Sequence, residues 1–280
     1  MNPHIGLIVT GTNTVKDLQV FIRTLEIWHP KAHLYIFTDS ATSINIPFKG
    51  TLHKKVALDA YSGKNRQEME ALPGKIYKTL WTDFMYEKAN VLEYMFSFTP
   101  TLKEQGAWFL DADITFLAPL PHIPPTATVA LSPHYLREVD EKNYGKYNGG
   151  FLWMKDPDLL TCWRTAGHGA RFYEQSALEE LALKASQTLY EFPIQVNFGW
   201  WRMFQSIESP QAIATKFKLY RPDTSIGIRY DNLPLQSIHT HWHQKDSSAT
   251  GAFNTWFTKF ITHYKVHPPI SKFIQHLQTL

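Results

Sequence analysis

Ile5-Gly6-Leu7-Ile8-Val9-Thr10-Gly11-Thr12-Asn13 opens the chain with a short apolar run, rich in β-branched residues, that stops at a turn. Such a run reads as a buried strand. Thr14 can cap a helix behind it. Val15, Leu18, Phe21, Ile22, Leu25 and Trp28 then recur at helical spacing until Pro30 ends the series. His33-Leu34-Tyr35-Ile36-Phe37-Thr38 is a second strand, closing on Asp39-Ser40. Strand, helix and strand in this order make a βαβ unit, which implies parallel strands joined by a right-handed crossover. Ligands of open parallel sheets sit beyond the carboxyl ends of the strands, so Thr10, Gly11, Thr12 and Asp39 are candidate contacts for a base or ribose. Turn chemistry is the competing account of Gly11 and Asp39.

Outward from this unit, 280 residues suffice for one large α/β domain. Lys and Arg number 28 against 25 Asp and Glu, with no dense basic run, so the electrostatic footprint of a nucleic-acid binder is missing. Cys162 is the single cysteine, which excludes an internal disulfide framework and a cysteine-based zinc site. Beside Trp163 it is expected to pack. No apolar stretch reaches the ~20 residues a bilayer requires, and Met1-Asn2-Pro3-His4-Ile5 lacks the basic and apolar regions of a signal peptide. The chain is therefore expected to be soluble and cytoplasmic, without a transmembrane segment. Aromatic residues make up 14% of it, and Tyr and Trp offer flat faces with a polar edge, suited to sugar rings and nucleobases.

The segment Trp108-Phe109-Leu110-Asp111-Ala112-Asp113-Ile114-Thr115-Phe116-Leu117 carries the clearest chemistry. Two carboxylates one residue apart interrupt an apolar run that otherwise reads as a buried strand. Ionised acids leaving water cost several kcal/mol each unless something positive meets them. Side chains at i and i+2 of an extended segment point to one side. A divalent cation answers both facts, because Mg²⁺ and Mn²⁺ take oxygen ligands and commonly join carboxylates to substrate phosphates. The alternative is a strand ending in an Asx-type turn, with both acids in solvent.

Between the two segments, Lys75 to Phe98 has the pattern of one or two amphipathic helices, with Lys88 either functional or a solvated helix charge. Prolines from Pro119 to Pro125 mark a loop, Val129 to Ser132 a strand, and Ser132 to Lys146 a connection bearing His134 and Arg137. Tyr147-Asn148-Gly149-Gly150-Phe151-Leu152-Trp153-Met154 is again strand-like. Paired glycines just before an apolar strand signal close approach of a backbone or ligand. Asp158 to Arg171 and Glu174 to Ala185 read as helices, Tyr190 to Pro193 as extended, Ser237 to His243 as a late strand, and Phe253 to Tyr264 as a closing helix. There is no internal repeat.

Taken together, this order resembles the nucleotide-sugar-dependent glycosyltransferases of the GT-A superfamily. The features shared are the N-terminal βαβ unit, Asp111-Ala112-Asp113, Asn148-Gly149-Gly150-Phe151, Glu174-Gln175 and the late histidine strand. The resemblance covers most of the chain. It implies a single α/β domain over residues 1–280 with a Rossmann-type mixed, mostly parallel sheet flanked by helices. Residues 1–118 would form the nucleotide-binding half and 119–280 the sugar and acceptor half. It further implies a divalent-metal-dependent transfer of a hexose-type sugar from a nucleoside-diphosphate donor, of UDP or GDP type, to a hydroxyl of a glycan, lipid-linked sugar or protein. By that likeness Asp113 is a direct Mn²⁺ or Mg²⁺ ligand and Asp111 a metal or ribose contact. Asn148, with Gly149 and Gly150, lies against the donor sugar. Glu174 and Gln175 face the sugar or the acceptor hydroxyl, where an acid can take a proton or steady an oxocarbenium-like sugar. Helix-start preference for acids is the competing account of Glu174.

In His239-Thr240-His241-Trp242-His243-Gln244-Lys245 the alternate histidines of a strand would share one face. The resemblance makes His241 or His239 a further metal ligand and Lys245 a diphosphate contact. It departs from the family in offering three histidines where one is usual. His134 and Arg137 are placed near the sugar or acceptor. Two other functions compete: a non-catalytic nucleotide- or carbohydrate-binding module, and a metal-dependent hydrolase using the His-X-His-X-His strand. A nucleotidyltransferase is disfavoured because no Arg or Lys follows the first strand until Lys16.

Overall fold

The structure is a computed structural model that describes residues 2–221, 226–244 and 246–279, with side chains described as far as residue 275. It begins with β1 (His4–Val9), α1 (Gly11–Trp28), β2 (His33–Thr38) and β3 (Thr51–Val56), followed by the short α2 (Arg66–Ala71). The middle of the chain supplies α3 (Leu80–Phe98), α4 (Leu102–Gln105), β4 (Ala107–Leu110), β5 (Ile114–Phe116), β6 (Val129–Pro133), α5 (Glu138–Tyr144) and β7 (Tyr147–Met154). Next come α6 (Leu159–Gly167), α7 (Leu178–Lys184), β8 (Leu189–Glu191), β9 (Phe198–Gly199), α8 (Trp201–Phe204) and α9 (Pro210–Thr215). The last elements are β10 (Phe217–Tyr220), β11 (Gly227–Tyr230), β12 (Leu233–Pro234), β13 (Ser237–His239), α10 (Ala249–His263) and α11 (Pro268–Thr279).

Seven strands form the main sheet in the order β3-β2-β1-β4-β7-β6-β8. The β3-β2-β1-β4 half and the β6-β8 pair are parallel, and β7 runs antiparallel to both its neighbours, so the sheet is mixed and mostly parallel. Alternation along its strands divides the core. Ile8, Phe37, Phe109 and Leu152 point to the side covered by α3, α6 and α7, whereas Leu7, Ile36, Leu110 and Phe151 point to the side of α1. Both faces are apolar because helices cover both, as parallel sheets require. A third cluster, including Phe198, Ile228, Ile238, Phe253 and Phe257, packs α10 and α11 beneath two three-stranded sheets, β10-β11-β12 and β5-β13-β9. Among the described residues no helix is long and apolar enough to cross a membrane.

The βαβ opening forms as its pattern predicts, with one shift: α1 begins at Gly11, with Thr10 at its N-cap, so Thr14 lies inside the helix. Thr10's side chain makes no capping bond, and the Gly11 N–H donates instead to Thr42 Oγ1 at 2.7 Å. The acid segment is not one strand. β4 ends at Leu110, Asp111 to Asp113 turn, and β5 continues in a different sheet, so the carboxylates sit at a break between two sheets. The predicted strand from Ser237 ends at His239, and the helix predicted from Glu174 begins only at Leu178. The paired glycines stand within β7 and not before it. The helix predicted over Asp158 to Arg171 ends at Gly167, α3 begins at Leu80, and α10 is followed by α11 and does not close the chain.

Candidate active site

Register brings the chemistry to one edge. β1 and β4 run parallel with Gly6 opposite Phe109, so Thr10 and Asp111 both lie just past the carboxyl ends of their strands. β7 returns antiparallel, and the Asp111 N–H donates to Gly150 O at 2.8 Å. β13 pairs with β5, His239 opposite Ile114, and Thr240 N–H donates to Asp113 O. A cleft of about 780 Å³ opens there, lined among others by Thr10, Asp17, Lys88, Asp111, Asp113, His134, Asn148, Gln175, His239 and His241. This is where open α/β sheets hold ligands.

One carboxylate oxygen from each of Asp111 and Asp113 and one ring nitrogen of His239 lie within 4.8 Å of one another. His239 Nε2 is 3.1 Å from Asp113 Oδ1 and 3.8 Å from Asp111 Oδ2. Burial alone would raise the Asp113 carboxyl, but the imidazoles of His239 and His241 hold it well below the usual carboxylate range. The glycines of β7 make this convergence possible. A Cβ at Gly150 would sit 2.0 Å from Asp111 Oδ2, and one at Gly149 would sit 2.5 Å from Glu174 Oε1. The close approach anticipated at the glycine pair is therefore made by the chain's own acids.

Lys88 is no solvated helix charge. It is buried, with Nζ 2.8 Å from Glu174 Oε1, 3.4 Å from Asp111 Oδ1 and donating to Gly149 O at 3.1 Å. Burial would lower its pKa, yet the charges of Asp111 and Glu174 outweigh this and hold the ammonium above its ordinary range. Glu174 is itself buried and does not line the cleft, so it faces Lys88. It precedes α7 by a turn and is not an acid of that helix's first turn. Gln175 reaches the cleft wall with both ends of its amide engaged: Oε1 accepts from Gly149 N–H and Nε2 donates to Tyr144 O.

The three late histidines do not share a face, because the strand ends at His239. His241 and His243 lie in the turn beyond it, with Nδ1 atoms 2.7 Å and 3.1 Å from the two oxygens of the buried Asp17 on α1. His241 borders this trio, 3.6 Å from Asp113 Oδ2, and Asp113 with Asp17 raises its pKa to about 10. This arrangement removes the premise of a three-imidazole hydrolase strand. Gly11, Thr12 and Asp39 do not line the cleft: Gly11 and Thr12 are exposed, and Asp39 is buried with Oδ1 accepting from Thr42 N–H. Arg137 pairs with Asp140 away from the cleft, whereas His134 lines it. Lys245 lies outside the described residues. Cys162 is half-buried on α6 beside Trp163.

Three buried polar residues carry no motif in the sequence, Asp17 in the cleft wall and Asn197 and Arg202 behind it. Asp17 is an acid on the apolar side of an amphipathic helix. Asn197 interrupts the run Val196 to Trp201. Arg202 follows two tryptophans, and its guanidinium caps the carbonyls of Asn197, His134 and Pro133 at 2.8 to 3.0 Å. Each is a polar residue placed where the local pattern calls for an apolar one, and that was the available signal. The lining is also aromatic, with Trp81, Phe84, Tyr144, Phe172, Trp200 and Trp201, the last packed edge-on against His239.

The mixed, mostly parallel seven-stranded sheet flanked by helices is a GT-A-like fold. Solved structures share that fold. The galactosyltransferase LgtC in complex with donor and acceptor sugar analogs matches with a TM-score of 0.51 and 14% identity, over 94% of this chain and 96% of that one. An active-site mutant of LgtC matches with a TM-score of 0.50 and 13% identity, over 90% and 94%. The chain spans 50% of the glycosyltransferase GlyE from Streptococcus pneumoniae TIGR4, at 12% identity and a TM-score of 0.41. No family model matches the sequence, and no curated protein matches it.

Proposed function

We propose that the chain is a glycosyltransferase moving a sugar from a nucleoside-diphosphate donor, of UDP or GDP type, to a hydroxyl of a glycan, a lipid-linked sugar or a protein. The observation that carries this reading is the meeting of Asp111, Asp113 and His239 in one cleft beyond the carboxyl ends of β1 and β4. Two carboxylates and one imidazole suit a divalent ion such as Mn²⁺ or Mg²⁺, and Gly150 keeps clear the space in which they converge. Bound there, the ion supplies Lewis-acid neutralisation of the departing diphosphate. The shared fold adds support, since LgtC is a galactosyltransferase solved with donor and acceptor sugar analogs.

The remaining roles belong to the chain's own side chains. Thr10 borders the nucleoside end of the cleft, and Asn148 lines it on the donor-sugar side, with Gly149 and Gly150 beside it leaving room for Glu174 and Asp111. Lys88 orients Asp111 and supplies positive charge beside the donor, with Glu174 as its counter-charge. Gln175 ties Gly149 to the end of α5 and so sets β7 against the side of the cleft assigned to the acceptor. Lys245, following the histidines in sequence, is assigned to the diphosphate. The aromatic wall provides stacking faces for an acceptor sugar.

A panel of UDP-, GDP- and dTDP-sugars, assayed with Mn²⁺ for donor hydrolysis and transfer, tests the reading. Asp113→Asn should cut turnover by about 100-fold or more while leaving the circular dichroism unchanged. Turnover that survives the substitution removes the metal role. Failure of every donor to raise the melting temperature removes the transferase.

A further inference from the structure

Behind His239 lies a buried line of amides whose hydrogen-bond directions can be followed atom by atom. Its fixed point is a backbone group. The Gly150 N–H can only donate, and it donates to Asn148 Oδ1 at 3.1 Å, which makes that atom an acceptor. Asn197 Nδ2, 3.1 Å from the same oxygen and 3.2 Å from Ser132 Oγ, is therefore the amide nitrogen of its side chain. Asn197 must then turn Oδ1 toward His239 Nδ1, which stands 3.1 Å away. An amide oxygen only accepts, so His239 carries a proton on Nδ1, and Nε2 is left as the atom facing Asp113 and Asp111.

The other arm of the line agrees. Asn148 Nδ2 donates to His134 Nε2 at 3.3 Å, so His134 must hold its proton on Nδ1, where Gly145 O accepts at 3.1 Å. Asn197 is fully buried, and the register of β9 against β13, His239 opposite Gly199, fixes it beside the histidine. Arg202 Nε locks its backbone by donating to Asn197 O.

We infer that Asn197 is a positioning residue for divalent-cation binding: anchored by Gly150 through Asn148, its carbonyl oxygen holds the proton of His239 on Nδ1 and reserves Nε2 for the ion. The inference rests on the reading of Asp111, Asp113 and His239 as a metal site. It matches the general rule that a metal-binding imidazole donates its second N–H to a fixed acceptor, whose loss weakens metal affinity by about 10- to 100-fold.

The test is Mn²⁺ titration of the protein without donor, read by the electron paramagnetic resonance of free Mn²⁺. Asn197→Ala should weaken binding by about 10- to 100-fold. Asn197→Asp keeps an acceptor for the His239 N–H while losing both donated bonds, so it should regain most of the affinity despite lower stability. A role confined to packing predicts the reverse, with Asp no better than Ala, and that outcome overturns the inference, as does an Asn197→Ala affinity equal to wild type. Failure of the wild type to bind Mn²⁺ more tightly than Asp113→Asn instead overturns the metal site itself. A measurement needing no substitution stands beside these. Imidazole nitrogen NMR of the Cd²⁺-loaded wild type should show the metal on Nε2 and the proton on Nδ1 of His239, and metal on Nδ1 refutes the assignment.

Discussion

Replacing Lys88 with Met separates the two roles of its buried charge. At an effective dielectric of ~20, an ammonium 2.8 Å from one carboxylate and 3.4 Å from another attracts them by about 6 and about 5 kcal/mol. These attractions offset the cost of burying the charges. Methionine fills similar volume but leaves Glu174 buried without a counter-charge and Gly149 O without its donor. Breaking one side of a buried pair costs about 3–5 kcal/mol, which for a chain of this size lowers the melting temperature by roughly 10 °C. Metal affinity should move the other way, because a cation approaching Asp111 no longer meets an ammonium at 3.4 Å. Urea titrations give the stability, and Mn²⁺ calorimetry the affinity. Glu174→Gln added to Lys88→Met should recover much of the loss, since it removes the stranded charge. A loss under about 1 kcal/mol for Lys88→Met, or no recovery in the double variant, would show that the ion pair does not anchor this wall.

Gly150→Ala puts a Cβ 2.0 Å from Asp111 Oδ2 and 2.7 Å from His239 Cε1, so it should abolish Mn²⁺ binding and cost about 1–3 kcal/mol of stability; calorimetry showing unaltered binding contradicts the convergence described. Arg202→Lys should behave as a loss and not as a conservative change, because the three carbonyls are met by three different guanidinium nitrogens and a single ammonium nitrogen does not reproduce that spread; about 2–4 kcal/mol is expected in urea unfolding. Burial pushes the His134 imidazole down to about 3, so the unfolded chain, with His at its ordinary 6.5, binds more protons between these values. The contribution is fully present above pH 6.5 and is lost as pH falls toward 3, about 5 kcal/mol in all, and His134→Gln should flatten that acid limb of stability against pH.

The N-terminal unit was legible because periodicity and burial agree there: β2 falls on His33–Thr38 as predicted, and α1 ends before Pro30. The acids were legible because charge inside an apolar run is costly and so informative. β3 was not. Thr51-Leu52-His53-Lys54-Lys55-Val56 is a sheet edge, open to water along most of its length, where polar and charged side chains discourage pairing with other chains and erase the apolar pattern of a strand. His239 to His243 misled for the opposite reason. Its alternation continues past the end of the strand, where Trp242 Nε1 donates to Thr115 Oγ1 and Asn254 Nδ2 donates to the His241 and Gln244 carbonyls. Tertiary bonds there override a pattern that is locally correct. Asn197 and Asp17 were hidden because their partners lie far away in sequence, His239 for one, His241 and His243 for the other.

The break that sets Asp111 and Asp113 between β4 and β5 also determines what a bound ion does to the chain as a polymer. Its ligands would come from the end of a seven-stranded sheet and from a small three-stranded one, closing a loop that runs from residue 113 to residue 239. Because its ligands converge only in the folded chain, such a clasp would stabilise that state by mass action. A bound ion would then rivet two layers together, and its removal would loosen the C-terminal third of the molecule from the rest.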